Sequence, residues 1–271
     1  MKIVTLLEND RVRKDLKNAH GLSLYIEAND QKILFDLGPN NYYLKNAKKL
    51  GIDLSEVDIL VISHGHFDHG KGLNKFLKTN KKATIYLSKT AFDKHFKYLK
   101  GLYIPIGIKK PKDLERIHYI DLDESISKGI KLYSNVEYVK QLINDNSLMR
   151  EVDGAYLEDN FDHEIYLVVN EGTNKVLFSG CSHKGIGNII KSIQDREKSK
   201  LTHVIGGFHL SNYDHEDVIQ MVYMESLGTE LLENNAQYFS CHCTGNDAFT
   251  DLKKQMGTKL DSIHTGSVTI I

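Results

Sequence analysis

The 271-residue sequence predicts an α/β fold in which helices pack outside two facing mixed sheets. Three observations indicate this architecture. The first third of the chain contains short apolar strands, two of them joined by a tight turn at Asn29-Asp30. A continuous apolar strand over residues 57–62 then leads into a histidine-rich loop. From residue 165 onward, strands alternate with helices, so both halves of the chain supply strands and helices to the layers.

The individual elements follow from local patterns. Strands are expected where short apolar and β-branched runs lie between turn signals: 4–7, 23–27, 31–35, 57–62, 82–87, 165–169, 175–179, 203–205, 237–240 and 267–270. Helices are expected where apolar residues recur at helical spacing: 41–50, 89–99, 185–193, 214–227 and 246–256. Prolines and charges interrupt any periodicity over 101–160. We expect this stretch to be an insertion, or a lid, within a single domain spanning residues 1–271.

Composition and charge restrict the partners. The formal net charge is −1, so no broad electrostatic footprint for nucleic acid or anionic lipid is expected, and a small molecule is the expected partner. Charged residues interrupt every apolar run before the roughly 18 residues of a membrane span, and the first ten residues read as a strand instead of a signal peptide. Three cysteines, each near a histidine, are too few for a secreted disulfide framework, which favours the cytoplasm.

A dense histidine pattern follows the strand at 57–62. His64, His66, Asp68 and His69 form the pattern H-x-H-x-D-H, and glycines such as Gly65 permit the backbone that a convergent loop needs. Residues two apart in such a loop can face one ion, while the following Asp-His pair turns toward a second ion. Imidazoles and a carboxylate suit zinc, with iron or manganese as alternatives. The alternative interpretation is a surface loop that is merely rich in histidine.

One loop cannot supply all the ligands of two ions, so other strand ends are expected to contribute. Three later histidines stand where a predicted strand gives way to a loop: His183, His209 and His242. His183 and His242 are predicted metal ligands. His209 is equally well interpreted as a direct ligand or as a residue that contacts substrate.

Several neighbouring residues remain open alternatives. His163 is a possible replacement for His183, and Cys181 either ligates as a thiolate or lines the site. Cys241 and Cys243 flank His242 in a segment read as extended, so alternation predicts that both point away from the metals. The other histidines carry no comparable context and are expected to be ordinary: His95, His118, His203, His215 and His264.

These motifs resemble the metallo-β-lactamase superfamily across essentially the whole chain. Five segments match one subgroup in particular, the dihydropterin-ribofuranosylaminobenzene 5′-phosphate synthases: 20–23, 63–66, 180–183, 206–210 and 242–245. The resemblance implies a metallo-β-lactamase αββα sandwich with the metals at one edge, and it brings His20 into the site as a lining residue or an alternative ligand. Many relatives have a bridging aspartate where this chain has Cys181, and Lys71 stands between the two glycines that follow the histidine loop.

The expected activity is metal-dependent hydrolysis of a small phosphorylated or pterin-like metabolite by a metal-activated water. His64, His66 and His183 are expected to hold one divalent ion. Asp68, His69 and His242 are expected to hold the other, with Asp68 also orienting the nucleophile. His209 and Lys71 are candidates for stabilising negative charge on a phosphoryl or carbonyl oxygen.

Three alternatives remain open at the level of sequence. The first is a synthase or lyase, as in the condensing enzymes of the subgroup, in which the metals stabilise an anion and no water attacks. The second is a non-catalytic metal or ligand sensor. The third, flavin-linked oxygen reduction at a di-iron site, would require a glutamate in the histidine loop, where this chain has Phe67, and a further flavin domain.

Overall fold

Two seven-stranded mixed sheets form the centre of the protein, in a computed structural model that describes residues 1–143 and 145–271. The first sheet has the order β18-β1-β2-β3-β4-β5-β8. Its strands are β1 (Lys2–Leu7), β2 (Ser23–Ala28), β3 (Gln31–Phe35), β4 (Ile59–Val61), β5 (Thr84–Ser88), β8 (Ile117–Ile120) and β18 (Val268–Ile270). β18 through β3 pair antiparallel, and β3 through β8 pair parallel.

The second sheet repeats this plan with the order β17-β16-β15-β14-β13-β10-β9. Its strands are β9 (Glu124–Ser127), β10 (Ile130–Tyr133), β13 (Tyr166–Glu171), β14 (Asn174–Phe178), β15 (His203–Gly206), β16 (Gln237–Ser240) and β17 (Leu260–Ser262). β9 through β14 pair antiparallel, and β14 through β17 pair parallel. The parallel strands therefore direct their carboxyl ends, and the loops that follow, to one edge of the sheet.

Apolar side chains from both sheets fill the space between them. Ile26, Phe35 and Val61 of the first sheet share a buried cluster with Phe178 and Ile205 of the second. The rings of Phe35 and Phe178 lie 6.1 Å apart, within the range of favourable aromatic pairs. Burial of these apolar faces is what holds the sheets together.

Helices cover the outer faces of both sheets. The covering helices are α1 (Tyr42–Lys49), α3 (Leu73–Thr79), α4 (Ile186–Glu197), α5 (Val218–Glu233) and α6 (Asn246–Met256), whereas the short α2 (Phe67–Gly70) is part of the histidine loop. Short 3-10 turns lie at Leu54–Glu56, His242–Thr244 and Gly257–Lys259. α1 and α3 pack on the first sheet, and α4, α5 and α6 pack on the second. The αββα sandwich expected from the sequence is thus confirmed.

The structure also has a third, four-stranded sheet that the sequence does not predict. It has the order β12-β11-β6-β7, with β6 (His95–Leu99), β7 (Leu102–Pro105), β11 (Leu148–Val152) and β12 (Ala155–Glu158). The helix expected over 89–99 is wrong, because His95–Leu99 pairs with β7 and β11. The strands within residues 101–160 are distributed over all three sheets. β8 belongs to the first large sheet, and β9 and β10 belong to the second. We call the four-stranded sheet the arm.

Most other elements lie within two or three residues of their expected bounds. The largest shifts are in α4, which continues to Glu197, and in α5, which begins at Val218 instead of residue 214 and continues to Glu233. The start of α5 follows from Asp217, whose carboxylate accepts the N–H groups of Ile219 and Gln220 and so caps the helix. Among the residues that the structure describes, no helix has the length and apolar character to cross a bilayer.

Candidate metal centre

The histidine loop leaves the end of β4 and is held from below by Asp36. The Asp36 carboxylate accepts the backbone N–H and the hydroxyl of Ser63, both at 2.7 Å. Gly65 is required within the loop, because a Cβ atom there would lie 2.4 Å from the carbonyl oxygen of Ala91. The loop is therefore fixed at both its start and its first turn.

His64, His66 and His183 come together as predicted. One ring nitrogen from each lies within 4.8 Å of the others, and all three side chains are buried. Burial lowers the pKa of each imidazole, and neighbouring histidines lower it further, so the rings are neutral. Nε2 of His64, Nε2 of His66 and both ring nitrogens of His183 have no hydrogen-bond partner. Unpartnered neutral imidazoles are the donors that a divalent ion requires.

Asp68, His69 and His242 form a second group beside the first. Oδ2 of Asp68 lies 3.3 Å from Nε2 of His242 and 3.8 Å from Nε2 of His69, and the two Nε2 atoms are 3.2 Å apart. Burial raises the pKa of the Asp68 carboxyl, but the charges of His69 and His242 lower it by more, so the group stays ionised. The three residues offer one carboxylate and two imidazoles.

Asp36 also orients His69, a role that the sequence did not reveal. Oδ2 of Asp36 lies 2.7 Å from Nδ1 of His69, which leaves Nε2 directed at Asp68 and His242. Burial lowers the pKa of His69, but the carboxylates of Asp36 and Asp68 outweigh it and raise the pKa to about 9. Carboxylates hydrogen-bonded to the far nitrogen of a metal-binding histidine fix its ring in this way.

Cys181 lies between the two groups, with Sγ 3.1 Å from Nε2 of His69. Cys241 packs in the core between the sheets, as expected. The prediction for Cys243 is wrong: its Sγ lies with Cys181 and His242 in one group of potential ligands. The reason is that the chain turns into a 3-10 helix at His242, so the alternation of an extended strand does not apply.

A cavity of about 190 Å³ opens onto both groups. Its wall includes residues of the candidate centre, two residues of the arm (Lys97 and Leu148) and residues of neighbouring loops: His20, His66, Phe67, Asp68, Lys97, Ile106, Asp145, Leu148, Cys181, His183, His209, Ser211, Asn212, His242 and Cys243. Nε2 of His20 lies 3.4 Å from Oδ2 of Asp68. The ring of His209 lies 4.1 Å from that of His183. Both residues thus reach the cavity, as the sequence indicated.

The lysine at the cavity is not the one that the sequence predicts. Lys71 is exposed, and its ammonium group lies 5.8 Å from the ring centroid of Phe67, outside the cavity wall. Lys97 of β6 is on the wall and donates a hydrogen bond of 3.0 Å to Asp145. The helix expected over 89–99 does not place Lys97 at the cavity, whereas the observed strand β6 does. A lysine does face the cavity, but it comes from the arm.

His163 lies in a separate group behind the loop. Its Nδ1 accepts the N–H of Gly65 at 2.9 Å, and its Nε2 lies 3.3 Å from Asp159. His95 is in the same group, with Nδ1 2.8 Å from Asp159, so the expectation that His95 is ordinary is wrong. No sequence signal marked His95 or Asp159, since only the pairing of the arm strands brings them to the loop.

Four site residues other than glycine adopt left-handed backbone conformations: Asp36, Ser182, His209 and His242, with φ between 51° and 62°. Each follows a central strand of one of the two sheets. Such conformations cost free energy in non-glycine residues and persist where the surroundings hold them, often at functional sites.

Fold and donor chemistry together define a class of protein: an αββα sandwich with a candidate metal centre at the carboxyl ends of its parallel strands. The chain belongs to the metallo-β-lactamase superfamily, whose family model matches residues 18–204.

Two relatives from Methanocaldococcus jannaschii extend over nearly the full chain. One is an uncharacterised protein, 28% identical, with 93% of this chain and 94% of the relative covered. The other is 7,8-dihydropterin-6-methyl-4-(β-D-ribofuranosyl)-aminobenzene-5′-phosphate synthase, 27% identical, with 99% and 96% covered. The solved structure of Tm1679, described as a metal-dependent hydrolase of the β-lactamase superfamily, superimposes with a TM-score of 0.84 at 27% identity over 100% of this chain and 99% of the other.

Proposed function

We propose that the protein is a metal-dependent hydrolase that acts on a small phosphorylated or pterin-like metabolite. The observation that carries this proposal is the convergence of unpartnered imidazole nitrogens from His64, His66 and His183 beside the Asp68 group. The similarity to a metal-dependent hydrolase over the whole chain supports the same reaction class.

In this proposal two divalent ions, zinc by preference, occupy the centre. His64, His66 and His183 hold one, and Asp68, His69 and His242 hold the other. When bound, such a pair lowers the pKa of a water to about 7 and stabilises negative charge on a substrate oxygen. Cys181, between the two groups, is an additional candidate ligand. The three free cysteines favour a reducing compartment, the cytoplasm.

The chain's own residues position the reactants. Asp68 accepts a proton or a hydrogen bond from the attacking group, since its carboxylate reaches the cavity wall and stays ionised. His209 lies on the cavity wall beside His183 and can donate a hydrogen bond to the oxygen that becomes negative. His20 contacts Asp68 and restrains the orientation of its carboxylate.

The size and lining of the cavity support a small substrate. Its volume of about 190 Å³ suits one ring or one phosphate group with its attachment, and Lys97 at the wall is ion-paired with Asp145. Ile106 and Leu148 add apolar surface from the arm region. The name of the synthase relative includes both a pterin and a phosphate, which agrees with these features.

Turnover by the metal-loaded protein tests the hydrolase proposal. Purified full-length protein, loaded with zinc, manganese or iron, should release nitrophenol from bis-p-nitrophenyl phosphate or open a lactone ring. The variant His66→Ala should lose this activity, whereas His215→Ala, at an exposed histidine, should keep it. Absence of turnover in metal-loaded protein with every metal would contradict the proposal and favour a sensor.

A condensing enzyme is the second candidate, because the synthase relative aligns over 99% of this chain. In that reaction the same centre stabilises an anion and no water attacks. Incubation with an aminobenzene ribosyl phosphate and a dihydropterin that carries a leaving group, such as a diphosphate, on its 6-methyl carbon, followed by mass spectrometry, distinguishes condensation from hydrolysis, because condensation releases the leaving group and a proton. A coupled product without hydrolysis of either substrate would replace the hydrolase proposal.

A further inference from the structure

The two residues that follow β1 hold His242 in place. Oε1 of Glu8 accepts the backbone N–H of His242 at 2.8 Å. Nδ2 of Asn9 donates a hydrogen bond of 3.1 Å to the backbone carbonyl of His242, and Oδ1 of Asn9 lies 2.9 Å from Nδ1 of the His242 ring. Neither Glu8 nor Asn9 lies on the cavity wall. The N–H, the carbonyl and Nδ1 of His242 therefore all have partners, and Nε2 is left to the candidate metal centre.

The hydrogen bonds of Asn9 determine which ring nitrogen of His242 carries a proton. A backbone carbonyl can only accept, so the amide nitrogen of Asn9 must face the carbonyl of His242. The backbone N–H of Gly21 donates to the other amide atom at 3.3 Å, which identifies that atom as the oxygen. An amide oxygen can only accept, so Nδ1 of His242 must donate to it. In the neutral ring, the lone pair is then on Nε2.

The backbone of His242 also depends on these two residues. His242 has a φ of 53°, a left-handed conformation that costs free energy in a residue other than glycine. Glu8 and Asn9 bind its N–H and its carbonyl, the backbone groups on either side of the strained Cα. The N–H of Gly21 shares the same amide oxygen, and the ring of His20 lies 4.5 Å from that of His242. Asn9 thus joins the turn that carries His20 to the strand end that carries His242.

We propose that Asn9 is a positioning residue of the candidate metal centre. By accepting the Nδ1–H of His242, Asn9 selects the tautomer whose Nε2 lone pair is free to bind a divalent ion. Histidines that bind metals commonly donate their other N–H to a fixed acceptor in this way. The inference rests on the proposed function, because it requires that His242 is a metal ligand. Asn9 acts through His242 and does not reach the substrate cavity.

Two variants separate this role from a purely structural one. Asn9→Leu removes both hydrogen bonds to His242, whereas Asn9→Asp keeps an acceptor for Nδ1–H and loses only the donor to the carbonyl. By chelator competition on zinc-loaded protein, the ion at His242 should bind about 10–100-fold more weakly in Asn9→Leu and within about 10-fold of wild type in Asn9→Asp. The ion at His64, His66 and His183 should bind as before. Equal loss in the two variants would overturn the inference.

Asn188→Leu is the matched control. The amide of Asn188, in α4, also donates to a distant backbone carbonyl, that of Glu137 at 2.8 Å, but it has no histidine partner. Its zinc affinity should equal that of wild type. A loss in Asn188→Leu as large as that in Asn9→Leu would show that any lost amide contact weakens the centre, and it would contradict the inference.

Nuclear magnetic resonance reads the tautomer without metal or turnover. Long-range ¹H–¹⁵N spectra of metal-free wild type, at a pH where the ring is neutral, should show His242 with its proton on Nδ1. The missing signal in His242→Gln assigns the resonance. A proton on Nε2 in wild type would overturn the inference even if Asn9→Leu does not fold. Metal-loaded protein without turnover would instead contradict the hydrolase proposal alone, so the two failures are distinguishable.

Discussion

The two sheets contribute to the candidate centre in opposite ways. The first sheet supplies one contiguous loop after β4, in which His64, His66, Asp68 and His69 follow one another closely. The second sheet supplies single histidines from the ends of three adjacent parallel strands, β14, β15 and β16. The difference shows that candidate ligands can be brought to one site in two ways: by close spacing in the sequence, or by the order of the strands within a sheet. Variants of residues from each sheet test the two modes through their effect on metal binding.

The largest expected effect concerns His64 and His183, which come from different sheets and are proposed to hold the same ion. His64→Ala and His183→Ala should each reduce turnover by at least about 10³-fold, since even partners outside the ligand shell cost about 10–100-fold. Both should lose one metal per chain by elemental analysis. If His183→Ala kept its full metal content while His64→Ala did not, the strand end would be dispensable and the comparison would fail.

His209 tests whether every strand end of the second sheet supplies a ligand. We expect His209→Gln to lower kcat about 100-fold with unchanged metal content, because it would remove a donor to the developing negative charge and not a ligand. Steady-state kinetics and metal analysis on the same sample measure both quantities. His215→Gln serves as the control. Loss of metal from His209→Gln would make His209 a ligand instead.

Asp36 tests how the first sheet supports its loop. Asp36→Asn should weaken metal binding about 10-fold, because the amide can still accept the N–H of Ser63 but no longer gives His69 a charged partner. Competition with a fluorescent chelator measures the affinity. Asp15→Asn, at an exposed surface position, should bind metal as wild type does. Equal affinity in both variants would assign Asp36 to folding alone.

The last expected effect is on the stability of the fold at the strand ends of the second sheet and does not involve the metal. Gly206 ends β15, and a Cβ atom there would lie 2.0 Å from the carbonyl oxygen of Ser179. Gly206→Ala should therefore lower the free energy of unfolding by about 3 kcal/mol. Gly172, in a hairpin with open space around it, should cost about 1 kcal/mol on the same change. Urea unfolding measures both, and equal losses would show that the strand end tolerates a side chain.

Sequence reasoning succeeded where the signal is local. The H-x-H-x-D-H loop and the strand-to-loop histidines could be recognised from spacing, and the layers followed from strand and helix patterns. Asp36, His95 and Asp159 could not be recognised, because their roles depend on pairings between distant strands. Cys243 was misplaced for a related reason: a change of backbone conformation at His242 redirected its side chain.

The position of the centre at strand ends of both sheets would link metal supply to the lifetime of the fold. His64 and His69 are anchored on one sheet, and His183 and His242 on the other, so an ion held among them joins the two halves of the molecule. Ions that bind only the folded chain stabilise it by mass action, by about 4 kcal/mol when free metal exceeds the dissociation constant a thousandfold. Starvation for metal would then expose the chain to proteolysis before any substrate is encountered.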